Sequence, residues 1–533
     1  MSNLKTVFTL LILTAFISVS KAEINIIPHP ANVVTGKGNF ILNDKTPVIS
    51  NRKTQSEAEF LGSILVKGFG VKPEIKSAGN GIRLVLNPDL KEKLDDEGYH
   101  FKSQPDGIVI EAVSTAGIFY GIQTLRQLMP AGFEFKADQT QKVTVQEVEI
   151  WDKPRFPWRA FMLDESRNFK GVEVVKSILD QMALLKMNTF HWHLTDDQGW
   201  RIEIKKYPKL TEIGGYRKDT QKARRSDERL GVPQQGFYTQ EQIKEIIRYA
   251  EERHITIVPE IEMPGHAMAA IASYPWLGTL GTTTEVPVTF GKMDDSYNVA
   301  NPRVYQFLED VLTEVFKLFP GKVIHIGGDE VNLTTWKNSP SIMAMMKKEG
   351  LNSPADLQIY FTNQISNFID KHGRRMMGWN EILGDNIHDL PNVADTKVTE
   401  QLAKSAIIQF WKGNLDLIQK AVSEGYDVVN SYHAETYLDY NYKTIPLSKA
   451  YTFDPIPEGL PEKYDSKILG TGCQMWGEWI PTVEKMDMQV YPRLAAYAEV
   501  GWTSKSVKNY TNFLTALPNL KKRWKLLGIS YTQ

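Results

Sequence analysis

The chain has 533 residues, a net charge of −1 and a single cysteine, Cys473. That length supports two or more domains with sizeable cores, a lone thiol excludes an internal disulfide, and near-neutrality without a concentrated basic block argues against a nucleic-acid partner. Twelve Trp is a high count for this length, and serves either an aromatic core or sugar stacking, depending on where the rings fall.

The first element is a leader. Met1 to Lys5 gives a short basic start, Val7 to Ile17 is apolar, and Ser20-Lys21-Ala22 offers a small-x-small site. This is the pattern of a secretory signal peptide, residues 1–22, cleaved near Ala22. The apolar run is shorter than the roughly 20 residues that a membrane span needs, and no cysteine follows it to take a lipid. The mature chain is expected to be exported, periplasmic or secreted, with no membrane anchor.

Residues 23–150 read as a small α+β accessory domain. Short strand patterns at Asn39–Leu42, Gly81–Leu86, Gly107–Ala112 and Val143–Ile150 alternate with helical spacing over Ser56–Gly68 and Ser114–Met129. No His, Asp or Glu cluster marks chemistry there.

Residues 151–533 change to a strand–helix alternation. Strands are predicted over Ala160–Arg167, Thr189–Asp197, Thr256–His266, Val323–Glu330, Arg375–Glu381, Ala406–Trp411, Asp427–His433 and Gly470–Glu478, each ending in polar residues. Eight such units fit a (β/α)8 barrel, an α/β TIM fold, better than an open doubly wound sheet. Helix starts are written into several linkers: Thr239 with Gln242 forms a capping box, and Asn301-Pro302 and Ser353-Pro354 place a cap before a first-turn proline. The segment from Gly214 to Gly236 is long, polar and charged, a candidate mobile rim.

A barrel of this kind places its chemistry at the strand C-terminal ends, so those clusters are the candidate site. In the fourth unit an apolar strand runs through His325 into Gly327-Gly328 and then Asp329-Glu330. Adjacent carboxylates split their pKa values and so divide acid and charge-stabilising roles; the competing explanation is an acidic helix cap. The second unit brings His191, His193, Asp196 and Asp197 together. With His266 and His325 these are either a metal-ligand set or a hydrogen-bonded network. The third unit alternates Glu260 and Glu262 before Gly265-His266. Arg167, at the end of the first unit, has a guanidinium fork suited to sugar hydroxyls or to a surface ion pair. Trp379, Trp411, Tyr437 with Asp439, and Trp476 with Glu478 end the later strands. Aromatic walls with a few carboxylates suit a pyranose, which offers apolar C–H faces and a ring of hydroxyls.

His325 to Glu330 resembles the signature of glycoside hydrolase family 20, the β-N-acetylhexosaminidases. Asp164 to Arg167, His191 to Trp200, Pro259 to His266, Gly378 to Glu381 and Met475 to Glu478 match in the expected order, and the resemblance covers essentially the whole mature chain, accessory domain included. It implies exo-acting, retaining hydrolysis in which the substrate's own 2-acetamido oxygen attacks the anomeric carbon, an exception to the two-carboxylate scheme. By that resemblance Asp329 orients the acetamido group and Glu330 is the general acid and base. His266 and Asp197 form a relay behind Glu330, with Asp196 beside it. Arg167, Asp439 and Glu478 hold hydroxyls, while Trp379, Trp411 and Trp476 wall the acetamido pocket and Tyr437 bonds the acetamido oxygen. No metal or other cofactor is implied, and the expected partner is a glycan ending in a β-linked N-acetylhexosamine. Asn168 departs from the pattern, since His is common after the arginine.

Overall fold

The computed structural model describes residues 24–135, 141–291, 293–384 and 399–533. The expected signal peptide lies outside the described residues. Among the described residues no helix is long and apolar enough to cross a membrane.

The N-terminal region is a seven-stranded mixed sheet. Its order runs Asn32–Asn43, Lys142–Asp152, Tyr99–Gln104, Gly107–Ala112, Ile82–Leu86, Val48–Ile49 and Ile75–Lys76. The first four strands pair antiparallel and the remainder parallel. Two helices, Gln55–Phe69 and Thr115–Leu128, carry buried apolar residues that join the core. The predicted strands and both helices are present. Tyr99–Gln104 was not anticipated: Tyr99, His100 and Phe101 are consecutive buried residues, so the period-two signal is blurred.

Eight parallel strands then close a barrel: Trp158–Asp164, Thr189–His193, Thr256–Glu260, Val323–His325, Arg375–Trp379, Ile407–Phe410, Asp427–Asn430 and Ile468–Met475. Every predicted barrel strand exists, but most end sooner than the sequence pattern extends. The polar tails (Glu165–Arg167, 326–330 and their equivalents) leave the ladder as loops, because pairing at the barrel mouth gives way to backbone that must turn outward. Register sets Asp164, His193, Glu260 and His325 at one level.

Crossover helices include Val172–Leu184, Gln240–Glu251, Pro302–Leu318, Pro354–Lys371, Asp416–Ser423 and Arg493–Trp502. The fifth crossover holds only the 3-10 turn Asn380–Leu383 among its described residues. The predicted caps form. Thr239 Oγ1 accepts from the Gln242 amide at 3.2 Å while Gln242 Oε1 accepts from the Thr239 amide at 2.9 Å. Asn301 and Ser353 accept from Arg303 and Asp356 amides ahead of their prolines. In the first of these helices Ile243, Ile246, Ile247 and Ala250 form the buried stripe that seats it on the barrel.

Candidate active site

The fourth strand ends at His325, and Gly327 (φ +66°) and Gly328 (φ +92°) reverse the chain so that Asp329 and Glu330 face the barrel mouth. His266 (φ +47°) and Glu330 (φ +50°) both occupy the left-handed region, where a side chain costs free energy that the surrounding structure must supply. Their rings and carboxyls meet. His266 Nε2 lies 3.7 Å from both Asp329 Oδ2 and Glu330 Oε2, and its Nδ1 lies 3.0 Å from Asp197 Oδ2 and 3.1 Å from Asp196 Oδ1. Burial works against a charged His266 ring, but Asp196, Asp329 and Asp197 around it hold its pKa well above the ordinary value. It therefore stands as a cation between two pairs of carboxylates.

Asp329 is buried, and its Oδ1 has no hydrogen-bond partner among the described residues. Burial, Glu381 and Glu330 push its pKa up to about 8 against the opposing pull of His266. Burial thus works against a charged Asp329 in the empty site, and a hydrogen-bond donor opposite Oδ1 favours the anion.

A polar network lies under this pair. Glu260 takes the Trp379 indole N–H at 2.8 Å and lies within 2.9 Å of ring nitrogens of His191, His193 and His325. Burial would raise the Glu260 carboxyl, yet His325, His193 and His191 hold it well below the carboxylate range. The other His193 nitrogen meets Asp196 Oδ2 at 2.9 Å, so both nitrogens of that ring are engaged and its pKa is pushed up to about 10. Three groups of ligand atoms come within metal-binding range, namely His191–Glu260–His325, His193–Asp196–Glu262 and Asp196–Asp197–His266. Hydrogen bonds join His193 to Glu260 and Asp196 and join His266 to Asp197, whereas the Glu262 oxygens have no partner among the described residues.

Arg167 is fixed on three sides. Its Nη2 meets Asp196 Oδ2 at 2.6 Å, its Nη1 meets Asp164 Oδ2 at 3.2 Å, and its Nε donates to Gln198 Oε1 at 3.0 Å. Asn168, the departure from the family pattern, is used as a brace. It donates to the Gly477 carbonyl at 2.7 Å and accepts from Gln234 at 3.2 Å. The rim segment is anchored at its base, where the strands Tyr216–Arg217 and Gln234–Gln235 pair and Arg217 donates to the Arg167 and Gln198 carbonyls.

The aromatic residues converge as expected. Trp411 and Tyr437 stack with centroids 6.1 Å apart and planes 8° from parallel. Trp476 lies 5.8 Å from Trp379 and 5.9 Å from Tyr437. Trp379 is buried against Trp476, and its indole N–H is tied to Glu260. The cavity itself, about 280 Å³, is bordered by Arg167, His266, Asp329, Glu330, Trp411, Tyr437, Asp439, Trp476 and Glu478. Burial raises both Asp439 and Glu478; the charge of Glu478 adds to the first, and those of Asp164 and Asp196 add to the second against the pull of Arg167. Of the twelve predicted site residues, those nine face the cavity; Trp379, Asp196 and Asp197 lie just behind it.

Residues the sequence reading missed also appear. Glu381 accepts the Trp411 indole N–H at 2.8 Å. Arg224, Phe290, Tyr440 and Trp479 complete the outer cavity, and Phe290 meets Trp479 edge-on at 5.0 Å and 81°. Trp479 directly follows Glu478 and was legible by position, whereas Arg224 and Phe290 sit in loops that carry no periodic signal.

Comparison with known proteins agrees with this arrangement. Residues 156–505 match the model of the glycosyl hydrolase family 20 catalytic domain, and residues 23–153 match family 20 domain 2. A β-hexosaminidase from Porphyromonas gingivalis is 37% identical over 95% of this chain, which spans 64% of that relative's length. One from Vibrio furnissii is 35% identical, with 91% and 77% covered. Among solved structures, a family 20 exo-β-N-acetylglucosaminidase from Vibrio harveyi in complex with N-acetylglucosamine superposes with a TM-score of 0.82 at 32% identity, covering 96% of this chain and 78% of that one. A Streptomyces plicatus β-hexosaminidase variant in complex with its product GlcNAc gives 0.81 at 30% identity, with 96% of each chain covered.

Proposed function

The chain belongs to glycosyl hydrolase family 20, and on that footing we propose that it is an exo-acting, retaining β-N-acetylhexosaminidase releasing terminal β-linked GlcNAc or GalNAc. The observation that carries this reading is the pairing of Asp329 and Glu330 through His266, beside an aromatic box closed by Trp411, Tyr437 and Trp476. Such a box offers ring faces to an acetamido methyl, and the Asp329 carboxyl has an oxygen without a partner to accept that group's N–H. The complexes of the Vibrio harveyi and Streptomyces plicatus enzymes with N-acetylglucosamine are consistent with this assignment.

In the first step the acetamido oxygen forms a bond to the anomeric carbon while the bond to the leaving oxygen breaks. Glu330 gives its proton to that oxygen, and Asp329 accepts from the acetamido N–H and balances the positive oxazolinium ring. In the second step Glu330 takes a proton from water as the water oxygen attacks the anomeric carbon, which reopens the ring with net retention. His266, held by Asp196 and Asp197, supplies positive charge to whichever carboxyl is anionic. Arg167, Asp439 and Glu478 grip the hydroxyls of the terminal sugar.

The test compares two chromogenic aryl β-glycosides, one with a 2-acetamido group and one with a plain 2-hydroxyl. Cleavage of the acetamido substrate alone is expected; equal cleavage of both refutes participation of the acetamido group. We further propose that the protein is exported by its leader. Fractionation with N-terminal sequencing is expected to find mature protein beginning just after Ala22 outside the cytoplasm, and uncleaved protein retained in the cytoplasm refutes it.

A further inference from the structure

Glu262 follows the third barrel strand and has no place in the reaction described above. It is only 2% exposed, and neither carboxyl oxygen has a hydrogen-bond partner among the described residues. The nearest cationic nitrogen, His193 Nδ1, is 3.9 Å away and already lies 2.6 Å from Glu260. The carboxyl instead presses on the backbone of the turn that presents the catalytic pair: a Cβ at Gly327 would stand 1.7 Å from Glu262 Oε2. The chain around it is pinned, with the Glu262 amide donating to Thr195 Oγ1 at 2.9 Å, and the amides of Ile261 and Met263 donating to the carbonyls of His325 and Ile326.

An ionised carboxylate without donors in such a place is strongly disfavoured, whereas a neutral one is merely a polar filler. We propose that Glu262 is a positioning residue acting as a neutral carboxylic acid: it fills the space beneath Gly327 and so sets the angle of the Asp329–Glu330 turn, without adding negative charge under the acetamido site. Burial, with the charges of Asp329 and Glu260 nearby, raises its pKa well above the carboxylate range, in accord with the geometry. The titratable groups around it are Glu260 and His266 from its own unit, His193 and Asp196 from the second, Asp329 from the fourth, and Tyr297. The consequence is electrostatic: were Glu262 charged, Asp329 would need still more help to ionise.

The inference rests on the acetamido-assisted reading, and its test keeps the two apart. Glu262→Ala opens the space under the turn and is expected to lower kcat roughly tenfold or more in a folded enzyme. Glu262→Gln, neutral and of the same shape, is expected to recover kcat to within about threefold, with the acid limb of kcat/KM unmoved. Infrared difference spectra of the wild-type enzyme at neutral pH are expected to contain a protonated-carboxyl band that Glu262→Gln lacks, a readout that stands even if the alanine variant does not fold. Wild-type kcat in a folded Glu262→Ala enzyme, an acid limb shifted to lower pH in Glu262→Gln, or no such band each overturns the proposal. Equal cleavage of acetamido and hydroxyl glycosides by the wild-type enzyme would instead refute the functional reading and leave these outcomes interpretable.

Discussion

Two adjacent side chains do different work because their surroundings differ. Glu330 sits at the cavity edge beside a cationic His266, while Asp329 is buried with one oxygen unpaired. Glu330→Gln is expected to lose about 10²-fold or more in kcat with a poor leaving group and much less with an activated aryl one, since only the former needs the proton. A uniform loss across leaving groups would deny Glu330 the acid role. Asp329 titrates in the opposite sense: it must be ionised to balance the positive intermediate, so activity falls as pH drops through its pKa. That pKa is raised in the free enzyme by burial and by Glu381 and Glu330, and a bound acetamido group brings it down. The acid limb of kcat is therefore expected at lower pH than that of kcat/KM, and Asp329→Asn is expected to abolish most acetamido-dependent turnover. Coincident limbs would place Asp329 away from the acetamido group.

At the scale of elements, the turn after the fourth strand and the rim control what the strands deliver. Gly327 is required twice over, by its left-handed φ and by the Glu262 carboxyl in the place of a Cβ. Gly327→Ala is expected to destabilise the fold by roughly 1–3 kcal/mol and to lower kcat more than it raises KM; thermal melts with steady-state kinetics check it, and an unchanged kcat would show that the turn tolerates displacement. At the rim, the edge-on pair of Phe290 and Trp479 extends the aromatic surface beyond the terminal-sugar pocket. Trp479→Ala is expected to raise KM for a GlcNAc disaccharide roughly 3–10-fold at nearly constant kcat, and an equal rise for GlcNAc on a methyl aglycone would remove the stacking role. The strands and their order of chemistry were legible in the sequence because each buried parallel strand is a short apolar run ending in polar residues. Where the strands stop was not, since the tail from Ile326 to Glu330 has the composition of a strand end but the backbone of a turn. The Glu260 hub was hidden for a different reason: its partners come from three other strands, and periodicity along one strand says nothing about which carboxylate the histidines of its neighbours will share.

The whole molecule depends on a junction that the sequence did not announce. The accessory sheet is joined to the barrel by buried ions rather than by apolar packing alone. Lys186 of the barrel meets Asp152 at 3.1 Å and the Tyr99 hydroxyl at 2.7 Å, and the Trp502 indole donates to the same Asp152 oxygen at 2.9 Å. Farther along, Glu134 takes a forked pair from Arg126, at 3.1 and 2.8 Å, and a third bond from Arg523 of the helix Tyr510–Leu527 at 2.9 Å. None of these residues borders the catalytic cavity. Removing one member leaves the others charged and buried, which costs about 3–5 kcal/mol, more than the intact group contributes over an apolar replacement. Glu134→Gln is thus expected to lower Tm while leaving kcat at moderate temperature unchanged. The pH dependence has a definite sign. Burial would raise the Glu134 carboxyl, but Arg126 and Arg523 depress it to about 2 from an ordinary value of 4.5. Its contribution, about 3 kcal/mol by linkage, is fully present above pH 4.5 and is lost as pH falls toward 2. Denaturation curves of wild-type and Glu134→Gln enzymes are expected to converge over that interval, because the acid form of Glu134 and the amide leave the two arginines equally unpaired. Curves that stay parallel through it would mean that Glu134 is not the group whose protonation loosens the two domains.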